Sequence, residues 1–386
     1  MATLKSASKL VTDGNWIESK DQSDCGIRLI QTGNIGIGEY LDKSAKAKFI
    51  SEETFFRLKC TEVLPGDILI SRLPDPIGRA CIVPRQSTRA ITAVDCTIVR
   101  LNNEILDSRF FVNYTQSTKY FKQLQQFFTG TTHTRISRKN LEKIEIPTPA
   151  LDEQRKIAAV LDKAAGLISL RKQQLAKLDE LAKALFLEMF GDPAANPLHW
   201  KQAALNDIAV GKLTYGSGAS SCAYDGAVRY IRITDIDDNG NLNSDVVSPS
   251  VIEEKYLLNE GDILFARSGA TVGKTYRYRK AEGKCLYAGY LIRLIPDQRR
   301  VLPDYVFYYT KTSYYENFVA SNMKVVAQAN INAKQYGNLL ICVPPLSIQQ
   351  EFVSIVQQIN RQKLIVQQGL DELKVLQKSL TQEYFG

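Results

Sequence analysis

The sequence predicts an α+β protein, in which two β-rich α/β globular domains are joined by two long helices that form an antiparallel coiled coil. Three observations support this prediction: an internal repeat, heptad-like spacing of apolar residues at the end of each repeat, and an ordinary globular composition. The chain has 386 residues, of which 44% are hydrophobic and 23% are charged. At roughly 100–200 residues per domain, this length corresponds to two or three domains.

The internal repeat is the strongest signal, because short segments recur in the same order at an offset near 195 residues. Self-similarity of this kind is typical of duplicated structural units. The matched segments are 27–35 with 228–236, 65–72 with 260–267, 77–79 with 272–274, 144–154 with 341–349, and 188–191 with 383–386. We therefore divide the chain into a first globular domain (1–148), a central helix (149–192), a second globular domain (193–345) and a C-terminal helix (346–386).

Within each globular domain, a turn leads into a short apolar strand. Leu64-Pro65-Gly66-Asp67 precedes residues 68–71, and Asn259-Glu260-Gly261-Asp262 precedes residues 263–266. Glycine, proline and aspartate are typical turn residues, and the apolar runs after them are typical of buried strands.

Each repeat ends in a helical segment. Apolar or small residues recur at 157, 161, 164, 168, 175, 178, 182, 185 and 189, and at 352, 355, 359, 366, 373, 376 and 380. This spacing is the heptad pattern of a coiled coil. Pro147 and Pro149 precede the first helix, and Gly191 ends it. The same spacing fits a helix packed on its own domain. We favour pairing of the two helices, which would hold the domains at opposite ends of a rod with an approximate two-fold axis.

Cysteine, histidine and charge counts exclude several classes of protein. Seven widely spaced cysteines without a Cys-x-x-Cys argue against a disulfide framework and fit a reducing cytoplasm. Two histidines exclude a multi-histidine metal site. No apolar run is long enough to span a membrane, and residues 1–9 lack the apolar core of a secretory signal. The net charge of +8 resides in the two globular domains, and it permits nucleic-acid binding.

No catalytic constellation is evident in the sequence. Gly269–Thr275 resembles a phosphate-binding loop, but only three residues separate Gly269 from Gly273, where that loop requires four. An NTP-binding enzyme that uses Gly269–Thr275 is the alternative function. A coiled-coil assembly protein that never contacts DNA is a third possibility, and the localised positive charge argues against it.

Arginine, lysine, tyrosine and amide side chains on turns supply the remaining chemistry. Such side chains contact phosphates or read base edges in the major groove. The duplicated positions Arg72/Arg267 and Arg79/Lys274 are the best supported. The candidate DNA-binding residues are Arg72, Arg79, Arg85, Arg89, Thr132, Arg135, Arg267, Lys274, Tyr276, Arg277, Arg279, Lys324 and Gln328.

The whole pattern resembles the DNA-specificity subunit of type I restriction–modification systems. The doubled Gly-Asp-Ile-Leu strand carries the resemblance, together with the doubled Pro-x-Leu-x-x-Gln junction and helices that end Glu-Met-Phe-Gly and Glu-Tyr-Phe-Gly. The resemblance implies two target-recognition domains that each read one half of a split double-stranded DNA target. It implies that the coiled coil sets the spacer between the half-sites.

The resemblance also implies a non-catalytic chain that binds modification and restriction subunits. It implies no cofactor on this chain, with S-adenosylmethionine, ATP and Mg on the partner subunits. The candidate subunit-contact residues on the helices are Gln154, Leu161, Leu175, Leu178, Leu185, Gln349, Ile359, Leu373, Leu376 and Leu380.

Overall fold

The computed structural model describes residues 1–74, 76–129, 134–323 and 330–386. The chain forms two units: unit 1 contains Met1–Lys172 and Gln368–Gly386, and unit 2 contains Gln173–Gln367. Each unit thus combines one globular domain with a segment of both long helices, so the unit boundaries differ from the four segments drawn from sequence. Within the described part of the chain, no helix is long and apolar enough to cross a membrane.

Unit 1 is built from short strands and helices followed by a long helix. Its elements are β1 (Ala2–Thr3), β2 (Ser8–Asp13), β3 (Ile27–Ile30), β4 (Lys48–Ile50), α1 (Glu52–Arg57), β5 (Ile68–Ser71), β6 (Ala80–Ile82), β7 (Ala90–Thr92), β8 (Cys96–Leu101), α2 (Ser108–Tyr114), α3 (Thr118–Gln125), α4 (Arg138–Leu141), β9 (Glu145–Ile146) and the first part of α5 (Leu151–Phe190).

Unit 2 follows with a similar, though not identical, order of elements. After the end of α5 it contains β10 (Gln202–Ala204), β11 (Thr214–Tyr215), β12 (Ser221–Ala223), β13 (Arg229–Ile231), β14 (Val247–Pro249), β15 (Ile263–Ala266), β16 (Thr275–Arg277), β17 (Cys285–Tyr287), β18 (Leu291–Leu294), α6 (Pro303–Tyr309), α7 (Ser313–Met323), α8 (Ala333–Gly337), β19 (Leu340–Cys342) and the first part of α9 (Leu346–Phe385), whose last part, from Gln368, belongs to unit 1.

The two units share a common frame of sheets. An antiparallel four-stranded sheet has the order β2-β8-β5-β6 in unit 1 and β11-β18-β15-β16 in unit 2. A parallel pair accompanies it, β3 with β7 and β13 with β17, as does a small antiparallel pair, β1 with β9 and β10 with β19. The duplication predicted from sequence is therefore confirmed at the level of strand order.

The units differ outside this frame. In unit 1, β4 extends the parallel pair into the three-stranded sheet β4-β3-β7. In unit 2, β12 and β14 instead form a separate antiparallel pair. These strands lie in the stretches of sequence that do not repeat, so the shared motifs define the frame and the segments between them vary.

The long helices begin and end where the sequence predicts. α5 begins at Leu151, two residues after Pro149, and ends at Phe190. Gly191 follows with a φ of 76°, in the left-handed region that glycine adopts without strain.

Within each unit the two helical segments run antiparallel. In unit 1, Ala158 and Leu161 near the start of α5 share a core with Phe385 at the end of α9. In unit 2, the relation is reversed, because Phe190 at the end of α5 packs against Phe352 near the start of α9 with ring centroids 5.3 Å apart. Coiled-coil pairing therefore agrees with the heptad spacing.

Candidate nucleic-acid interface

The Gly-Asp turn before β5 and β15 supports the frame through a buried ion pair. Asp67 accepts two hydrogen bonds from the Arg100 guanidinium at 2.8 Å and one from the Leu64 N–H at 2.8 Å. In unit 2, Asp262 pairs with Arg293 at 2.6 Å. Burial raises the pKa of Asp262 despite this arginine. The repeated aspartate is thus a turn-forming residue that ties β5 to β8 and β15 to β18.

The repeated glutamine at the start of each long helix is an internal clamp. Gln154 is fully buried; its Oε1 accepts the Asp107 N–H at 2.8 Å, and its Nε2 donates to the carbonyls of Ile105 and Pro149 at 3.0 and 2.9 Å.

Gln349 makes the same three bonds in unit 2. Its Oε1 accepts the Leu302 N–H at 2.8 Å, and its Nε2 donates to the carbonyls of Arg300 and Pro344 at 3.0 and 2.8 Å. Both glutamines were predicted to contact other subunits. That assignment is corrected, because their amide groups bond within their own units.

At one end of the four-stranded sheet, polar side chains come together where three strands begin or end. β2 and β5 both run antiparallel to β8, so their C-terminal ends meet the N-terminal end of β8. The edge cluster of unit 1 consists of Asp13 at the end of β2, Arg72 after β5, Asp95 before β8, and Arg135 on the loop before α4. Backbone bonds fix it: the Arg72 N–H donates to the Asp95 carbonyl at 2.9 Å, and the Ile136 N–H donates to the Arg72 carbonyl at 3.3 Å.

The same edge recurs in unit 2 with different side chains. The edge cluster of unit 2 consists of Tyr215 at the end of β11, Arg267 after β15, Tyr290 before β18, and Asn330 on the loop before α8. The Arg267 N–H donates to the Tyr290 carbonyl at 3.0 Å, and the Ile331 N–H donates to the Arg267 carbonyl at 2.9 Å. The backbone bonds therefore match those of unit 1 one for one.

In unit 1, acidic groups surround the arginine of the edge cluster. The Arg72 Nη2 donates to the Val94 carbonyl at 2.7 Å. The guanidinium also lies 3.6 Å from an Asp13 oxygen and 3.8 Å from an Asp95 oxygen, and the Arg72 side chain is only 14% exposed. Arg72 is thus largely engaged within its own unit, while Arg135 is exposed.

In unit 2, an aromatic ring and an amide hold the arginine. The Arg267 guanidinium carbon lies 4.7 Å from the Tyr215 ring centroid, and its Nε donates to Asn330 Oδ1 at 3.3 Å. The Tyr215 hydroxyl accepts the Ala333 N–H at 3.0 Å, which fixes the ring. Tyr290 is 62% exposed beside them. This cluster presents a guanidinium, an amide and two aromatic rings at one surface.

The turn that follows β5 contains Gly78-Arg79, and the turn that follows β15 contains Gly273-Lys274. The first turn is hydrogen-bonded to helix α3 and the second to helix α7. The Tyr120 hydroxyl donates to the Gly78 carbonyl at 3.1 Å, and the Tyr315 hydroxyl donates to the Gly273 carbonyl at 3.0 Å. Gly78 and Gly273 have φ values of 82° and 87°. A Cβ on Gly78 would also collide with the side chain of α3 residue Leu124. Glycine is therefore required here for both conformation and space.

The basic residues of these two turns have different surroundings. Arg79 donates to the carbonyls of Thr32, Ile35, Leu73 and Pro76 at 2.7–3.1 Å, and thereby holds two loops of unit 1 together. Lys274 pairs at 3.1 Å with Asp238, which is 90% exposed. At the matched positions predicted from sequence, unit 1 thus has an arginine that joins two loops, and unit 2 has a half-buried lysine paired with an exposed carboxylate.

Several other predicted DNA-binding residues are engaged within the fold. Arg89 pairs with Glu52 and Glu62, Arg277 with Glu260 and Asp304, and Arg279 with Glu282. Arg85 is exposed. Thr132, Lys324 and Gln328 lie outside the described residues.

Tyr276, which was predicted from sequence to bind DNA, is instead a core residue. It lies on β16, is 1% exposed, and its hydroxyl donates to Glu282 Oε2 at 2.6 Å. Side chains alternate between the two faces of a strand, so Tyr276 points into the core while its neighbour Arg277 lies on the opposite face. Burial raises the pKa of this phenol well above its ordinary value.

The loop geometry gives no support to the NTP-binding alternative. Gly269–Thr271 forms a single 3-10 turn, and Thr275–Arg277 is strand β16. A phosphate-binding loop leads instead into a helix whose N–H groups face the anion.

The comparisons with known proteins agree with this architecture. The sequence matches the family described as the type I restriction modification DNA specificity domain over residues 11–180 and 197–375. The chain belongs to this family. Each match contains one edge cluster, and together they cover most of the chain.

Curated relatives of the family share low identity with the chain. It is 24% identical over 378 residues to the type I restriction enzyme MjaIX specificity subunit of Methanocaldococcus jannaschii, covering 91% of this chain and 82% of the relative. It is 24% identical over 286 residues to the EcoKI specificity subunit of Escherichia coli K12, covering 68% of this chain and 61% of the relative.

Two solved structures have the same fold. A type I restriction–modification S subunit from M. genitalium has a TM-score of 0.60 at 15% identity, covering 100% of this chain and 95% of that chain. A chain from work on complex assembly and conformational transition of a type I system has a TM-score of 0.55 at 18% identity, covering 100% and 96%. At these identities the likeness concerns the fold alone.

The heptad residues predicted to contact other subunits mostly face the cores of their own units. Leu161 and Ile359 are buried, Leu178 and Leu185 pack against the core of unit 2, and Leu380 packs against the core of unit 1. Leu175 and Leu373 are half-buried, and Leu376 is 49% exposed. The reason is that the a and d positions of a coiled coil form its internal seam, so they are poor candidates for a docking surface.

Arg72, Arg267 and Arg135 were predicted from sequence, whereas their neighbours in the edge clusters were not. Asp13, Tyr215, Asp95 and Tyr290 have no local motif, and they meet the arginines only through strand pairing. The position directly before β8 or β18, opposite the end of the duplicated strand, is the signal that identifies Asp95 and Tyr290.

Proposed function

We propose that the chain is the DNA-recognition subunit of a type I restriction–modification complex, in which each unit reads one half of a split double-stranded DNA target. The observation that carries this proposal is the edge cluster, built twice on matching backbone bonds but with different side chains. A duplicated frame with unlike surfaces suits recognition of two unlike half-sites.

The chemistry of the clusters supports DNA as the ligand. Arginine and asparagine pair with purine edges, and carboxylates accept from the cytosine amino group. The net charge of +8 favours contact with a polyanion. The family itself is described as a DNA specificity domain, which favours this function over a coiled-coil assembly protein that never contacts DNA.

We further propose that modification and restriction subunits bind the two long helices. The relatives are named specificity subunits of type I restriction enzymes. Exposed apolar side chains outside the heptad seam give a docking surface on each unit: Leu167, Leu170 and Val375 on unit 1, and Leu181, Leu364 and Ile365 on unit 2. In this proposal S-adenosylmethionine, ATP and Mg bind the partner subunits, and we assign this chain no catalytic step.

The coiled coil is proposed to set the spacer between the half-sites. α5 is one continuous helix that begins in unit 1 and ends in unit 2. Inserting one helical turn into both α5 and α9 should therefore lengthen the gap and leave both half-site sequences unchanged.

Methylome sequencing tests the proposal. A host expresses the chain together with a modification subunit, and a second host expresses the modification subunit alone. The expected result is a new methyl-adenine motif of two short blocks around a fixed gap, present only in the first host. An assembled complex that methylates no such motif would contradict the proposal.

Variants of each edge cluster then assign the blocks. Arg135→Ala in unit 1 should relax one block, and Tyr290→Ala in unit 2 should relax the other. Relaxation of both blocks by one variant would contradict the two-reader arrangement.

A further inference from the structure

The Arg267 guanidinium of unit 2 is held in a defined plane. The Tyr215 ring covers one face at 4.7 Å, and Asn330 Oδ1 accepts from its Nε at 3.3 Å. Because the Tyr215 hydroxyl accepts the Ala333 N–H, the ring itself is anchored. These contacts engage Nε and one face of the guanidinium, and neither terminal nitrogen, Nη1 or Nη2, donates a hydrogen bond to the residues that the structure describes.

No neutralising carboxylate accompanies this arginine in the described part of the chain. No Asp or Glu oxygen among those residues lies within 4.0 Å of Arg267, whereas Arg72 of unit 1 has two carboxylates within that distance. The two acidic positions of unit 1, Asp13 and Asp95, correspond to Tyr215 and Tyr290 in unit 2. The surroundings of Arg267 therefore fix its geometry and leave its charge available to a ligand.

A planar pair of N–H donors matches one base edge better than the others. Guanine presents two acceptors, O6 and N7, in the major groove. Adenine presents one acceptor beside an amino donor, thymine one acceptor beside a methyl group, and cytosine an amino donor. Only guanine accepts from both terminal nitrogens of an arginine whose orientation is fixed.

We propose that Arg267, held by Tyr215 and Asn330, reads a guanine in the half-site bound by unit 2. This inference rests on the proposed DNA-recognition function and names the base at one position. Arg72, at the same place in unit 1, is an internal residue and reads no guanine.

The experiment compares Arg267→Lys with the matched variant Arg72→Lys, each in the assembled modification complex. Lysine keeps the charge but loses the paired donors. The expected result for Arg267→Lys is relaxation of one G·C position in one block, with a tenfold to hundredfold loss of discrimination, on the order of a bidentate pair. Arg72→Lys should leave every position of the motif unchanged.

A modified base identifies the contact chemically. Replacing the guanine at the relaxed position by 7-deazaguanine removes N7 and should weaken wild-type binding about tenfold or more. The same replacement should leave binding by the Arg267→Lys complex unchanged, because the bidentate contact is already lost. Matching thermal melts of variant and wild type establish that the fold is intact.

Three results would overturn the inference. Arg267→Lys could leave the motif unchanged, it could relax an A·T position, or Arg267→Ala could weaken all sequences equally with a smaller salt dependence, which identifies a phosphate contact. In each case the wild-type motif still stands. Absence of any two-block motif from the wild-type complex would instead contradict the proposed function.

Discussion

Unit 1 and unit 2 carry an arginine at the same place in the same frame, and the two arginines have opposite surroundings. Arg72 lies between carboxylates and donates to a backbone carbonyl, whereas Arg267 lies on a tyrosine ring beside an amide. The residues that repeat, such as Asp67/Asp262 and Gln154/Gln349, hold the frame together. The repeated residues therefore form the scaffold, and the two units differ in the side chains that surround the arginine, where the repeats diverge.

The largest expected difference between the units appears at alkaline pH. Among the described residues, nine buried tyrosines lie in unit 2 and two in unit 1. Burial raises the pKa of these phenols, to about 12 for Tyr114 of unit 1 and Tyr308 of unit 2. A tyrosine of the unfolded chain has the ordinary pKa of 10.0 and therefore ionises before a buried one. The buried tyrosines thus contribute their full stability below that pH, and this contribution is lost as the pH rises above it.

Pulse proteolysis at pH 8 and pH 10.5, with cleavage sites mapped by mass spectrometry, measures this difference. At pH 10.5, half a unit above the ordinary tyrosine pKa, each buried tyrosine should lower the free energy of unfolding by up to about 1 kcal/mol. Unit 2 has more of these tyrosines, so it should become susceptible to proteolysis first. Cleavage that starts in unit 1 as the pH rises would contradict the prediction.

The next difference concerns the buried ion pairs of the frame. Asp262→Ala leaves Arg293, whose side chain is 7% exposed, without its carboxylate. Breaking a buried pair in this way should lower the free energy of unfolding by about 3–5 kcal/mol. Asp67→Ala should cost less, about 1–3 kcal/mol, because the Arg100 side chain is 34% exposed and can be hydrated.

Urea unfolding of the wild type and both variants measures the two losses. Asp262→Asn is the matched control, since it keeps the turn's acceptor for the Asn259 N–H but removes the charge. Equal losses in the two units would show that the exposure of the arginine does not set the cost.

Replacing Arg79 or Lys274 by alanine should lower the free energy of unfolding by amounts that differ by about 2 kcal/mol. Arg79→Ala removes donors to four carbonyls and should destabilise unit 1 by about 2–3 kcal/mol. Lys274→Ala removes a pair with an exposed carboxylate and should change stability by no more than about 0.5 kcal/mol. Thermal melts of the two variants measure both losses. Equal decreases in melting temperature would show that Arg79 and Lys274 contribute equally to stability, which would contradict the prediction.

The long helices and the Gly-Asp turns could be predicted from sequence because their signals, heptad spacing and turn residues, are local. The duplication could be predicted because short segments recur in the same order at an offset near 195 residues. The edge clusters need strand pairing: β11 is only two residues long, and Tyr215 reaches Arg267 across β18. Tyr276 was predicted to bind DNA because the alternation of residues along a strand does not tell which face of that strand is buried. Gln154 was predicted to contact another subunit, and its hydrogen-bond partners Asp107 and Ile105 lie 47 and 49 residues away in sequence.

The smallest expected difference concerns the two glutamine clamps. Gln154→Ala and Gln349→Ala each remove three hydrogen bonds from a buried site and should cost about 1–3 kcal/mol. Because the bonds match in partner type and length, the two losses should agree within about 0.5 kcal/mol. Glutamate at either position keeps the acceptor and loses the Nε2 donor, so Gln154→Glu and Gln349→Glu should also be destabilising. Urea unfolding measures all four variants. A loss confined to one unit would contradict the prediction, because it would show that the buried glutamine stabilises that unit alone.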